Sequence, residues 1–264
     1  MKTAILIPAR YASTRFPGKP LALLTLPDGT RKSLIELSWA AAMRVQGVDE
    51  CHVLTDDDRI VDAARAFGAS VLMTSPDCRN GTERCAEVIA RGLVTADIVV
   101  NLQGDAPLTP HWFVEDLIAA MTRDASAQVV TPVLRCDQDA YRNFLEDRRA
   151  GRVGGTTAVF GTAGQALYFS KEVIPYIAPG KLPDPVPVFH HVGVYAYRAD
   201  ALNTYAKAPE GPLETLEGLE QLRFLENGIP VKCVEVEGRG RSFWELNNPE
   251  DIPRIEAVLE QEHA

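Results

Sequence analysis

The run from Ala4 to Ile7, AILI, passes without a polar break into PARYASTRFPGKP, Pro8 to Pro20. Four apolar residues with no alternation read as a strand buried on both faces, the kind a parallel sheet with helices on either side requires. The loop that follows carries Arg10, Arg15 and Lys19 within ten residues, with Ser13 and Thr14 supplying hydroxyls and Gly18 allowing close backbone approach. Arginine offers a hydrogen-bonding fork and lysine a point charge, so a loop of this kind at a strand end is suited to a polyphosphate. It is not a Walker A loop, because Gly18-Lys19 runs into Pro20, and no GxGxxG occurs. By composition alone a solvated basic loop is an equal reading.

Outward from this strand, apolar runs alternate with helical patterns. Strands are predicted at Cys51 to Leu54, Val71 to Met73, Ile98 to Leu102 and Val129 to Val133. Helices are predicted at Ser33 to Val45 with Ser33 as N-cap and Glu36 three residues on, at Arg59 to Phe67 before Gly68, at Thr82 to Ala90 with Thr82 as cap, and at Trp112 to Met121. This is the βαβ alternation of an α/β fold with a mainly parallel twisted sheet flanked by helices. After about residue 136 the alternation breaks. Tyr141 to Gly161 reads as loop, Ala166 to Ser170 and Val192 to Tyr197 as strands, Pro179 to Pro187 as extended chain and Leu213 to Glu226 as one helix. Val231 to Val236 reads as a strand and Pro249 to Leu259 as a final helix. The expectation is one domain, with about 136–230 forming a smaller mixed subdomain and 231–264 returning to the main sheet.

The whole-chain numbers exclude several classes. Thirty-six acids against 27 Lys and Arg give a net charge of −9, which argues against nucleic-acid binding but leaves room for a local cationic pocket. Five cysteines without a CxxC pair fit a reducing compartment better than a disulfide framework. No apolar run nears the roughly 18 residues of a membrane span, and the N-terminal one is too short for a signal peptide. A cytoplasmic protein without membrane insertion is expected.

Polar residues gather where ligands bind in such folds, beyond the carboxyl ends of strands. In NLQGDAPL, Asn101 to Leu108, Asp105 follows an apolar strand and a turn glycine, and is a candidate Mg²⁺ ligand; a turn-forming Asp is the commoner reading. TDDD, Thr55 to Asp58, suggests a metal site but fits a helix N-terminus better. SPDCRNGTER, Ser75 to Arg84, enters a helix whose first amides suit an anion or simply a cap. His190 and His191 precede a strand without partners at zinc spacing. There is no GxSxG elbow, and attack of a substrate hydroxyl on an α-phosphorus requires no protein nucleophile.

As a set, IPARYASTRFPGKPL, LTDDDRI, FGASVLMTSPDCRNGTER, VVNLQGDAPL, ALYFSK, HHVGVYAYR, LETLEGLEQLRFLENG and NNPEDI resemble the 3-deoxy-manno-octulosonate (KDO) cytidylyltransferase family. They fall in family order and span nearly the whole chain. The resemblance implies a nucleotide-diphospho-sugar transferase-like α/β fold, usually a homodimer, with about 1–135 binding nucleotide and about 136–230 serving sugar binding and dimerisation. It implies transfer of CMP from CTP to KDO or a close ulosonic acid, with Mg²⁺ as cofactor. Arg10, Ser13, Arg15 and Lys19 would hold the triphosphate. Thr55, Ser75 and Thr82 would line the nucleotide pocket, with Gln103 beside it. Arg84, Gln103, His191, Glu220 and Gln221 would face the sugar acid. Asp105 would bind Mg²⁺, with Arg10, Lys19 and Asp105 carrying catalysis.

The chain departs from the family pattern at several points. QGDEP appears as QGDAP, with Ala106 for Glu, and DTPED as NNPED, Asn247 to Asp251. The second expected metal ligand, position 247, is thus Asn, a neutral donor, and Glu245 is the nearby carboxylate that could replace it. Thr157 and Gln165 stand where a Lys and a Tyr are usual, and the segment from Leu24 to Lys32 is longer. Two further readings follow: cytidylyl transfer to another small anion, such as a modified ulosonate or a phosphonate, and a nucleotide-binding homologue without catalysis.

Overall fold

The computed structural model describes residues 1–13, 16–153, 155–240, 246 and 248–263, the side chains of 261–263 excepted. The opening apolar run forms β1 (Thr3–Pro8), buried along its whole length. A 3₁₀ turn at Lys19–Leu21 leads into a hairpin, β2 (Leu23–Thr25) and β3 (Arg31–Ser33). Helix α1 (Leu34–Ala42) begins at Ser33, whose hydroxyl accepts the Glu36 amide at 3.3 Å. It stops short of the predicted Val45 because the chain turns toward Gly47, at φ 75°. Then come β4 (Glu50–Thr55), α2 (Asp58–Ala66), β5 (Val71–Met73), α3 (Gly81–Ala90), β6 (Ile98–Leu102), α4 (His111–Arg123) and β7 (Val129–Arg135). The N-cap of α3 is Asn80, whose side chain accepts the Glu83 amide at 2.8 Å; Thr82, predicted as the cap, lies inside the first turn.

β5, β4, β1 and β6 lie side by side in that order, all parallel. Their loops at the carboxyl ends therefore share one rim. Helices cover both faces, and Ile5 and Ile7 enter one core while Ala4 and Leu6 enter the other, the period-2 split of a doubly covered strand.

Beyond Arg135 the structure differs from the sequence expectation. Tyr141 to Gly161 is not a loop: it holds most of α5 (Gln138–Arg149), capped by Asp137, and β8 (Thr156–Phe160). The helix is charged on most faces and buries only a narrow stripe, Tyr141 and Phe144 at i, i+3, which average polarity hides. β9 (Ala166–Ser170) follows, then β10 (Phe189–His191) and β11 (Val194–Tyr197), so His190 and His191 sit within a strand rather than before one. After α6 (Ala199–Lys207), the predicted single helix is two, α7 (Pro212–Glu217) and α8 (Leu222–Glu226). Gly218, in the left-handed region at φ 61°, ends the first. β12 (Val231–Val236) and α9 (Ile252–His263) complete the chain.

β7 joins the two halves. β11 and β10 pair antiparallel with one of its edges and β12 parallel with the other. β11 also pairs antiparallel with β6, and β10 continues to β8 and β9, giving one ten-stranded sheet among the described residues. The sheet is parallel through the first half and, apart from the parallel β7–β12 pair, antiparallel after it. The long Leu24 to Lys32 segment is the β2–β3 hairpin, which packs Leu24 with Leu34, Leu246, Ile255 and Leu259 and ties to α9 through Thr25 N–H to Glu256 Oε1, 2.6 Å. No described helix is long and apolar enough to cross a membrane.

Candidate active site

The rim above β1, β4, β5 and β6 gathers the loops singled out by sequence. Lys19 Nζ and Asp105 Oδ2 lie 2.5 Å apart, with side chains 15% and 30% exposed. Gly104 lets these segments meet. A Cβ there would stand 2.7 Å from the Pro8 carbonyl oxygen, so β1 and the 103–105 turn approach closely only because position 104 is glycine. Ser38 on α1 donates its hydroxyl to the Gly104 carbonyl at 3.1 Å and fixes the turn from below. Arg10 extends to the next loop, its Nη1 donating to Arg79 O at 3.2 Å. Ser13 Oγ accepts the Phe16 amide at 3.4 Å. Arg15 and Asn247 lie outside the described residues, as does Glu245. Leu246, just before position 247, donates its N–H to the Asp105 carbonyl at 3.1 Å.

One residue pair that the sequence reading passed over shapes the cationic loop. The Tyr11 ring is held between Gly18, where a Cβ would approach it to 3.1 Å, and the Arg59 guanidinium, 3.3 Å from the ring centroid. Arg59 is itself gripped by Asp57, Nη2 to Oδ2 at 2.6 Å. Asp57, the second D of TDDD and the N-cap of α2, thus also sets a cation–π strap across the loop. Tyr11 carried no signal beyond its place between two loop cations.

A second group lies where α3 begins. Glu220, in the turn between α7 and α8, accepts the Thr82 N–H at 3.0 Å and the Gln103 Nε2–H at 3.1 Å. Burial raises its pKa, partly offset by the Thr82 and Gln103 hydrogen bonds. Thr82 Oγ1 pairs with Tyr197 OH at 2.8 Å. Asn101 sits under this group, with its Oδ1 buried and unpartnered, and so is Gln221 Nε2. Gln221 takes the Tyr195 hydroxyl on its Oε1 at 3.1 Å. An acceptor and a donor are thus left unpaired in the interior beneath the group.

Other candidates are placed differently. Thr55 is buried, its hydroxyl accepting the Asp57 amide, and Ser75 Oγ donates to Asp77 Oδ2 at 3.2 Å. Arg84 is 3% exposed and committed to Asp56 Oδ1 at 3.1 Å, Thr74 Oγ1 at 2.5 Å and Ser75 O at 3.3 Å. It braces the loops after β4 and β5 from inside. His191 is also interior. Thr131 donates its hydroxyl to the Val194 carbonyl at 2.8 Å, so it accepts from His191 Nε2, 2.9 Å away, which fixes the Nε2–H tautomer. Burial, with His190 alongside, pushes the His191 pKa down to about 3.

Mg²⁺ commonly takes one or two protein carboxylates, with phosphate oxygens and water completing its shell. Asp105, a partly exposed hard oxygen donor beside a lysine at the rim, fits that role. Among the described residues no cluster of three or more metal-ligating side chains exists.

A parallel sheet half with a cationic loop and a carboxylate on one rim defines an α/β nucleotidyltransferase. A family model described as cytidylyltransferase matches residues 4–235. A 3-deoxy-manno-octulosonate cytidylyltransferase of Maricaulis maris is 44% identical over 99% of this chain and 98% of its own. One of Myxococcus xanthus is 40% identical over 98% and 96%. Among solved structures, a CMP:2-keto-3-deoxy-manno-octonic acid synthetase complexed with CTP superposes with a TM-score of 0.84 at 36% identity, covering 99% of this chain and 100% of that one. A 4-diphosphocytidyl-2C-methyl-D-erythritol synthase shares the fold at a TM-score of 0.61 and 15% identity, covering 98% and 100%. The chain belongs to the 3-deoxy-manno-octulosonate cytidylyltransferase family.

Proposed function

We propose that the protein transfers CMP from CTP to 3-deoxy-D-manno-octulosonate and releases pyrophosphate. The observation that carries this reading is the continuity of the 103–105 segment. Gln103 meets Glu220 at 3.1 Å on one side, and two residues later Asp105 meets Lys19 at 2.5 Å on the other. One short turn thus links a buried, hydrogen-bonding region to a partly exposed, charged one, as an enzyme joining a sugar acid to a triphosphate requires. The anomeric hydroxyl oxygen of the acceptor bonds to the α-phosphorus, the bond from that phosphorus to the β-bridging oxygen breaks, and the hydroxyl proton passes to solvent. Arg10 and Lys19, with Arg15, hold the triphosphate and neutralise the charge on pyrophosphate as it leaves. Glu220, Gln103 and Gln221 orient the acceptor. Thr55, Ser75 and Thr82 belong to the segments that shape the nucleotide pocket, braced by Arg84, and His191 stands as a neutral support behind the acceptor side. Mg²⁺, held by Asp105 with position 247, would polarise the phosphate oxygens when bound. Use of a nucleoside triphosphate supports a cytoplasmic location, and the family resemblance supports a homodimer, which light scattering tests.

Incubating the protein with each nucleoside triphosphate, Mg²⁺ and a panel of acidic sugars, and measuring pyrophosphate, tests the reading. Release is expected with CTP and 3-deoxy-manno-octulosonate together. Release only with another acceptor would move the assignment to a related anion, and CTP binding without release under any condition would overturn it in favour of a nucleotide-binding protein.

A further inference from the structure

We infer that Lys19 blocks Asp105 as a metal ligand until the triphosphate arrives, so that nucleotide and metal bind as a coupled pair. The inference rests on the proposed roles of both residues. The contact is not a loose surface pair. Its side chains are 15% and 30% exposed and its atoms lie 2.5 Å apart. Lys19 has a fixed base: its N–H bonds to Phe16 O at 3.2 Å, its carbonyl accepts from Ala22 at 3.0 Å, and Gly18 before it is left-handed at φ 72°. Asp105 is fixed equally, by the 103–106 turn below it and by Leu246 N–H on its carbonyl. The mobile part is thus the lysine side chain, a flexible four-carbon stem with a compact charge.

While that ammonium sits on Oδ2, a divalent cation approaching Asp105 must displace it or bind beside it against like-charge repulsion. A triphosphate alters this balance. It offers Lys19 several anionic oxygens and offers the cation further oxygen ligands, freeing the carboxylate as the metal's shell becomes completable. Coupling of this kind is reciprocal: if CTP strengthens metal binding at Asp105, the metal strengthens CTP binding by the same factor.

The test is site-specific. Backbone amide signals of Gly104 and Ala106 in the intact, isotope-labelled chain report Mn²⁺ at Asp105 by paramagnetic broadening. Without nucleotide, Lys19→Met is expected to show that broadening at about tenfold lower Mn²⁺ than wild type, a factor within the usual range for coupled sites. Lys19→Gln serves if Lys19→Met loses its dispersed spectrum. Equal broadening at equal Mn²⁺ in wild type and variant, or none in either, overturns the inference. Adding CTP to wild type is expected to bring the broadening to lower Mn²⁺, and Asp105→Asn to abolish it. If Asp105→Asn leaves it intact, the metal role of Asp105 fails; if only the Lys19 comparison fails, that role stands and the blocking does not.

Discussion

The two halves of the sheet solve different problems with similar residue types. On the parallel side, from β5 to β6, the rim pair Lys19–Asp105 stands at strand ends, partly exposed and paired in a way that a ligand can exchange, while Arg84–Asp56 is closed. Against the antiparallel side one ion-pair group is interior and closed, while pairs such as Arg135–Glu235 and Lys232–Asp124 stay partly exposed. Arg223, 1% exposed, donates Nε and Nη2 to the two oxygens of Glu214 at 2.6 and 2.7 Å, a third bond to Glu83 at 2.9 Å, and stacks 4.2 Å from the Tyr205 ring centroid. Burial opposes the charge on Glu83, but the bonds from Arg79 and Arg223 hold its pKa below the usual carboxylate value. Exchangeable ion pairs serve binding and closed ones serve architecture, so mutations in the two regions should separate activity from stability.

The largest effect should come from the closed network. Arg223→Met leaves Glu214 and Glu83 without their shared cation and should cost about 3–5 kcal/mol of unfolding free energy, measured by urea denaturation. A loss below about 1 kcal/mol would break the contrast. Asp105→Asn should do the reverse: turnover falls on the order of 10²–10³-fold, the scale for removing one stabiliser of transition-state charge, while the unfolding midpoint barely moves. Pyrophosphate release and a denaturant curve on the same sample decide it. Gly104→Ala falls between the two, because its Cβ meets the Pro8 carbonyl at 2.7 Å. A cost of about 1–3 kcal/mol is expected, with a rise in CTP KM as the turn carrying Asp105 moves off β1.

The same contrast explains what the sequence made legible. The rim proposed to hold the triphosphate is written contiguously: PARYASTRFPGKP and QGDAP each supply a strand end, a turn and their charges within a few residues, so period and turn chemistry locate them. The buried polar group around Glu220 is assembled from Asn101, Gln103, Thr82, Tyr195 and Gln221, which only the β6–β11 pairing and the α3–Glu220 contact bring together. No local pattern encodes such contacts. Family likeness named Glu220 and Gln221, but it could not tell that Arg84 and His191 are interior. The resemblance sets Arg84 beside the sugar acid, and the structure buries its guanidinium against Asp56 and Thr74. α5 and the break at Gly218 were missed for a related reason: a one-sided stripe and a single left-handed residue weigh little in an averaged window.

Glu220 sits on the border between the halves, and its ionisation gives the smallest but most direct probe. Water is largely excluded from the carboxyl, which raises its pKa against the pull of the Thr82 and Gln103 donors. A raised folded-state pKa means that the folded protein holds this proton more tightly than the unfolded chain does. The resulting stability is fully present below the unfolded carboxylate value, near 4.5, and is lost as pH rises through the folded one. Other carboxyls act in the opposite direction; Glu83 and Glu87 have lowered values and add stability that disappears on acidification. Wild type alone therefore mixes both signs, whereas the difference between Glu220→Gln and wild type isolates Glu220, since Gln cannot ionise. That difference should grow in favour of the variant as pH is raised above about 4.5 and level off above the folded-state value of Glu220, read from urea curves across the series. A flat difference would mean that Glu220 is solvated as freely as the exchangeable acids on the donor rim, placing it with Asp105 rather than with Glu214.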